Sequence, residues 1–289
     1  MRILVGFNGT DHSNAALNDL RHAGLPDRTE ALVLAVAELC FAPEDFDKAA
    51  KLASSAAEKL RKAFPAWTVK SEAASGNPAH EILARSRSFR PDLIVVGEGR
   101  HHSGEYNTLL GQANQTLLAK AACSVRIGRS RAWIEPHPMR MIVGFDGSPG
   151  SGFAIGSIAA RNWPAGTKVC LLAVADSSVL GSIGRFIPQM NNAVLEAKFA
   201  SQWAETLAAA SIAKLTKAGI IASVDVRMGD PRNTIVEMAR ASNADCIFVG
   251  PHRSGNSIDV SLLGSVSATV AAQAHCSVEI ARKVVMLDP

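Results

Sequence analysis

Val5-Gly6-Phe7-Asn8-Gly9-Thr10 returns later in the chain as Val143-Gly144-Phe145-Asp146-Gly147-Ser148, at an offset of 138. Leu93-Ile94-Val95-Val96-Gly97 returns as Cys246-Ile247-Phe248-Val249-Gly250, at an offset of 153. Leu109-Leu110-Gly111-Gln112 and Cys123-Ser124-Val125 return as Leu262-Leu263-Gly264-Ser265 and Cys276-Ser277-Val278, again at 153. Such a period is far longer than a solenoid unit and has the size of a whole domain. The chain is therefore one fold written twice. The second copy carries 15 more residues (153 minus 138), placed in Asp176–Gln189 and a lengthened helix behind it.

Each copy alternates short apolar runs with helical spacing. In the first, Arg2–Phe7, Ala31–Ala37, Trp67–Ala73, Asp92–Gly97 and Ser124–Ile127 read as strands. Between them, His12–Ala23, Phe46–Phe64, Pro78–Phe89 and Gln112–Lys120 read as helices, with Asp11 or Ser13 expected to cap the first. Asn77-Pro78 and Asp230-Pro231 are a cap followed by proline at the first helical position. The second copy follows the same order from Met141–Phe145 to Ser277–Ala281. The strand runs are nearly continuous in apolar residues, the mark of strands buried on both faces. Five strands and four helices in alternation predict an α/β fold: two doubly wound domains, each a five-stranded parallel sheet flanked by helices. The expected bounds are 1–130 and 140–289, joined by a polar, proline-bearing linker at 131–139.

With 289 residues, two cores of ordinary size are available. Residues 1–139 hold 17 basic and 15 acidic side chains and the remainder 13 and 11, so each half is +2 and neither has a basic run. Nothing in that distribution points to nucleic acid. The five cysteines form no CxxC, and the longest apolar run, Ala31–Ala37, is far too short to span a membrane. A reduced, cytoplasmic protein is expected.

In a doubly wound sheet, ligands bind beyond the carboxyl ends of the strands, where the strand order reverses. The loops after the first and fourth strands of each copy are the places to look. In the second copy Gly250-Pro251-His252-Arg253-Ser254-Gly255 leads, eight residues on, to Gly264-Ser265-Val266-Ser267. Glycines admit a close phosphate, Ser265 opens a helix whose free N–H groups favour an anion, and Arg253 adds a positive fork. A glycine turn with a serine cap would give the same letters without any ligand. GxxxxGK[ST], GxSxG and a strand-linked GxGxxG are all missing, which leaves P-loop, hydrolase and dehydrogenase chemistry without their signatures. His80-Glu81 is not a zinc motif, because Ala84 stands where the second histidine must be.

On these residues the chain resembles a tandem universal stress protein, along essentially its whole length. Nucleotide-binding members of that family carry Asp-Gly-Ser near the end of strand one, as in Asp146-Gly147-Ser148. They also carry G-x2-G-x9-G-[S/T] after strand four; here Gly264-Ser265 fits, Arg253 stands at the middle glycine, Gly255 is the nearest substitute, and the span is one residue longer. The resemblance implies an adenine nucleotide α-hydrolase-like fold with the halves packed as a pseudo-dimer through their last strands, Ser124–Ile127 and Ser277–Ile280. It implies ATP, with Mg2+, in the second domain. The end of strand two at Val174 would offer backbone groups to the base, and Gly250, Arg253 and Gly255 would line ribose and phosphates. It further implies stress response and a homodimer. In the first copy Asn8 replaces the carboxylate, Gln112 follows Gly111, and Glu98 is expected to repel a phosphate. A degenerate first site is the reading that follows. No general base is evident, so efficient hydrolysis is not expected. A scaffold acting through protein contacts and a slow ATPase switch remain the alternatives.

Overall fold

A computed structural model describes residues 1–38, 42–102, 108–129, 137–175, 193–251 and 264–282. The first half contains β1 (Arg2–Gly6), α1 (Asp11–Asp19), β2 (Glu30–Ala37), α2 (Pro43–Ala63), β3 (Thr68–Ser75), α3 (Pro78–Phe89), β4 (Leu93–Gly97), β5 (Arg100–His102), β6 (Thr108–Leu110), α4 (Gln112–Lys120) and β7 (Ser124–Gly128). The second contains β8 (Arg140–Gly144), α5 (Pro149–Ala159), β9 (Lys168–Ala175), α6 (Ala193–Lys217), β10 (Ile221–Met228), α7 (Pro231–Ala241), β11 (Cys246–Val249), α8 (Ser265–Gln273) and β12 (Ser277–Ile280). Alternation and boundaries match the sequence reading within a few residues. Two points differ. Thr10, not Asp11 or Ser13, caps α1, its side chain accepting from the Ser13 amide. The first-half loop after β4 also carries a small antiparallel hairpin, β5–β6, where only loop was expected.

All ten long strands form one sheet, in the order β10-β9-β8-β11-β12-β7-β4-β1-β2-β3. Each half is parallel within itself, and the halves join where β12 runs antiparallel to β7. Both edges of β7 and of β12 are thus occupied inside one chain. Neither last strand has an edge free to pair with a second copy of the chain.

The two faces of the sheet are packed differently. On one face a single apolar cluster runs through both halves, including Val125, Ile127, Val278 and Ile280 of the joining strands. On the other face the core is split: one cluster gathers around β1, β2, α1 and α2, the other around β8, β9, α5 and α6. Alternation along β7 and β12 turns Arg126 and Glu279 toward this second face. Both are fully buried. Arg126 donates to Asp19 at 2.6 and 3.0 Å and to Glu279 at 3.3 Å, and Glu279 is bound in turn by Arg161. Asp19, Arg126, Glu279 and Arg161 form a neutral chain of alternating sign between the two split cores. Ser277 donates to Asp19 at 2.6 Å, and Ser157 donates to Glu279 at 3.2 Å.

A second pair of arginines crosses the junction. Arg129 donates to Ala271 O and Cys276 O at the end of α8, and Arg282, its repeat counterpart, donates to Leu118 O and Cys123 O at the end of α4. Each half therefore places a cation at the negative end of the other half's last helix. From the linker end, His137 meets Asp245 at 3.5 Å and the ring of His22 at 5.7 Å.

Burial by itself would raise the Glu279 pKa, but Arg161 and then Arg126 outweigh it and hold the carboxyl below the ordinary carboxylate range. A depressed folded pKa means the stabilisation is complete above the unfolded value and is lost as pH falls through the folded one. Glu279→Ala takes the carboxylate from buried Arg161 and leaves Arg126 with Asp19 alone, and should cost about 3–5 kcal/mol in urea unfolding at neutral pH. Glu279→Gln should flatten the acid limb of the stability curve; an acid limb as steep as the parent's would show that the carboxylate contributes nothing.

Candidate functional site

β8 is the hub of the second half. The chain leaves it toward β9 on one side and is joined by β11 on the other, so the order reverses between β8 and β11. The crevice of a doubly wound sheet opens there. Three backbone features converge on it in sheet order.

The first is the end of β9. Phe145 N donates to Leu172 O at 2.9 Å, which fixes the side toward which Leu172 points its backbone groups. Parallel strands alternate that side from residue to residue, and Gly229 N bonds Ala175 O on the β10 side. The N–H and C=O of Val174 therefore face the β8 side, past Gly144, the last β8 residue in the ladder.

The second is the turn after β8. The carboxylate of Asp146 accepts from Ser148 N at 3.0 Å, Gly147 takes φ +71°, and the Ser148 hydroxyl accepts from Ser151 N to cap α5. This is an Asx turn running into an N-cap, with a left-handed residue that suits glycine. The first half builds the same turn with a neutral side chain: Asn8 accepts from Thr10 N at 3.3 Å and Gly9 takes φ +79°. The turn needs the oxygen, not the charge. Asp146 is exposed, so its charge is free for another use.

The third is the start of α8. Gly264 is its N-cap residue and no side chain caps the helix. Ser265 is exposed and Val266 half-buried in the first turn. Ser267 is 2% exposed and donates to Gly250 O at 2.9 Å, tying α8 to the end of β11. Its hydroxyl proton is committed to that clamp. Asn114 makes the equivalent bond to Gly97 O at 2.9 Å in the first half.

Gly250 also has a packing duty. A Cβ there would lie 2.2 Å from the carbonyl carbon of Gly150 in α5, as one on Gly97 would lie 2.4 Å from the carbonyl oxygen of His12. Arg253 and Gly255, expected to line ribose and phosphates, fall outside the described residues, as do Cys40 and most of the linker.

The first-half cleft departs from expectation at Glu98. Its carboxylate does not face an incoming anion. It is buried and binds Arg129 at 2.5 Å, which draws it into the junction between the halves. Sequence reading missed that partner because Arg129 follows the final strand, 31 residues on. Cys123 and Cys246 behave as packing residues: burial pushes the Cys123 thiol up to about 12, and raises Cys246 as well. Among the described residues no group of three His, Cys, Asp or Glu side chains could hold a metal ion. No helix of the described residues is long and apolar enough to cross a membrane.

A model of the universal stress protein family matches residues 1–129 and again residues 138–282. The chain belongs to the universal stress protein family. Universal stress protein YxiE of Bacillus subtilis (strain 168) is 29% identical over 149 residues, covering 44% of this chain and 98% of that one. A universal stress protein from Archaeoglobus fulgidus DSM 4304 superposes with a TM-score of 0.63 at 16% identity, covering 98% of this chain and 96% of its own. A functionally unknown protein from Pseudomonas aeruginosa PAO1 gives the same TM-score and identity, covering 98% and 92%. The two solved structures share the fold across both halves.

Two substitutions separate packing from ligand duties. Asp146→Asn should leave stability within about 0.5 kcal/mol of the parent, because Asn8 already shows the turn closing without charge. Gly250→Ala should destabilise by about 1–3 kcal/mol with no ligand present, since backbone must shift to admit the methyl. Thermal unfolding of both, side by side, checks the pair.

Proposed function

We propose that the second half binds an adenine nucleotide, ATP together with Mg2+, and that the protein acts as a regulatory module whose occupied state is read by a partner. The convergence of Val174, Asp146 and the uncapped start of α8 on one crevice carries this reading. In this reading the three, taken in sheet order, would serve base, ribose and phosphate in turn. Val174 offers a donor and an acceptor side by side, suited to the edge of a purine. Asp146 lies where a ribose hydroxyl or a phosphate-bound cation would come. The first-turn amides of α8 and the Ser265 hydroxyl are suited to phosphate oxygens. The Mg2+ would be held chiefly by the phosphates, with Asp146 as its protein carboxylate.

Several residues of the crevice are not decisive. Gly147, Gly250 and Ser267 each have a packing role that would persist in a scaffold without ligand, and that favours the scaffold as the second reading. The charge of Asp146 and the hydroxyl of Ser265 have no such role, so they bear the test. A positioned general base is not part of the proposal, and any hydrolysis would be slow.

Equilibrium dialysis with ATP should find one site per chain. Ser265→Asp should lower ATP affinity at least tenfold while holding or raising thermal stability, since a carboxylate in the first turn suits the helix but repels phosphate. Asp146→Asn should abolish the Mg2+ dependence of binding. No saturable binding at millimolar ATP and Mg2+ would leave the scaffold standing.

A further inference from the structure

The register of the β7–β12 junction is symmetric under the internal repeat. Val278 faces Ile127, Ile280 faces Val125, and Glu279 faces Arg126. The offset of 153 carries Val125 onto Val278, Arg126 onto Glu279 and Ile127 onto Ile280. The two outer pairs exchange with each other under this mapping, and the central pair maps onto itself. Two identical edges meeting in this register would set the central residue against its own copy. Here that one position carries opposite signs, in side chains with no exposure. The flanking charges are differentiated too: the repeat counterpart of Asp19 is Ser157, and that of Arg161 is Ala23.

We propose that Arg126 and Glu279 form a pairing key, committing the last strand of each half to the last strand of the other half and rejecting a strand of its own kind. Two β7 edges would bury guanidinium against guanidinium, and two β12 edges carboxylate against carboxylate. Either arrangement breaks the alternation of sign that runs from Asp19 to Arg161. Apolar packing does not discriminate, because Val125, Ile127, Val278 and Ile280 suit any pairing of these strands. Specificity therefore rests on the repulsion built into the wrong combinations. The surface fits one partner chemistry: an apolar strand edge with a central charge of the opposite sign, supplied by this chain to itself.

The key is testable in the intact chain. Glu279→Arg leaves three guanidiniums against one carboxylate at the junction, and Arg126→Glu leaves three carboxylates against one guanidinium. Neither chain can close on itself, but the unaltered Arg126 of the first and the unaltered Glu279 of the second together rebuild one complete Asp19-to-Arg161 junction across two chains. The two full-length variants, carrying different tags, are produced separately and together in one host. Co-production should yield a two-chain species holding one copy of each, seen by native mass spectrometry. Its recovery through both tags should exceed by at least tenfold that of either variant paired with itself. Insolubility of a variant made alone leaves the readout intact, because rescue by the other is what is measured. The proposal falls if either variant keeps the parent's mass and thermal midpoint, if each captures itself as well as it captures the other, or if no mixed species forms.

Discussion

A buried chain of four charges holds the two halves in one sheet. Asp19, Arg126, Glu279 and Arg161 alternate in sign, and all lie in the interior. Removing such groups from water is costly, and it is offset only when every charge meets its complement. The chain meets that condition with help from neighbours. Ser277 supplies Asp19 with a further donor, and Ala23 O accepts from Arg161 at 3.2 Å. The arrangement exists only when α1, β7, β12 and α5 are all in place. It ties the junction to the correct folding of both halves at once.

The same junction explains why the sheet's faces differ. Val125, Ile127, Val278 and Ile280 carry the apolar core across without interruption on one face. On the other, the alternation of the strands turns the charges inward and divides the core in two. Apolar continuity drives association, and the ionic divide sets its register. The reciprocal arginines, Arg129 and Arg282, then close the helix ends beside it, one of them balanced by Glu98 and the other held by carbonyls. Burial lowers the Arg282 pKa, the expected sign for a cation whose bonded partners are neutral. Its repeat counterpart has a carboxylate because Glu98 stands where the second half has Pro251.

Much of this architecture was legible in the sequence. Buried parallel strands read as apolar runs, and β2 and β9 stood out for that reason. Asn77-Pro78 and Asp230-Pro231 marked helix starts that the structure keeps. The β5–β6 hairpin was not legible, since Arg100–His102 is polar and neither strand has a period to follow. The ion chain was hidden for another reason. Its links join residues 107, 118 and 153 positions apart, and propensity does not see across such separations. One trace of it does stand in the sequence: each final strand holds a single charge inside an apolar run, at equivalent positions and of opposite sign.

The twin clefts show how a repeated motif comes to carry two meanings. Asn8-Gly9-Thr10 and Asp146-Gly147-Ser148 fold into the same turn, and Gly97 and Gly250 each make the same close approach to the first helix of their own half. Those letters persist because the fold requires them. Comparing two copies within one chain separates the requirements of the backbone from those of a ligand, because backbone needs are common to both. What survives the subtraction is small: a carboxylate at residue 146 against an amide at residue 8, and a hydroxyl at residue 265 against an amide at residue 112. Those few atoms are the differences that the shared turn and the shared close approach do not require.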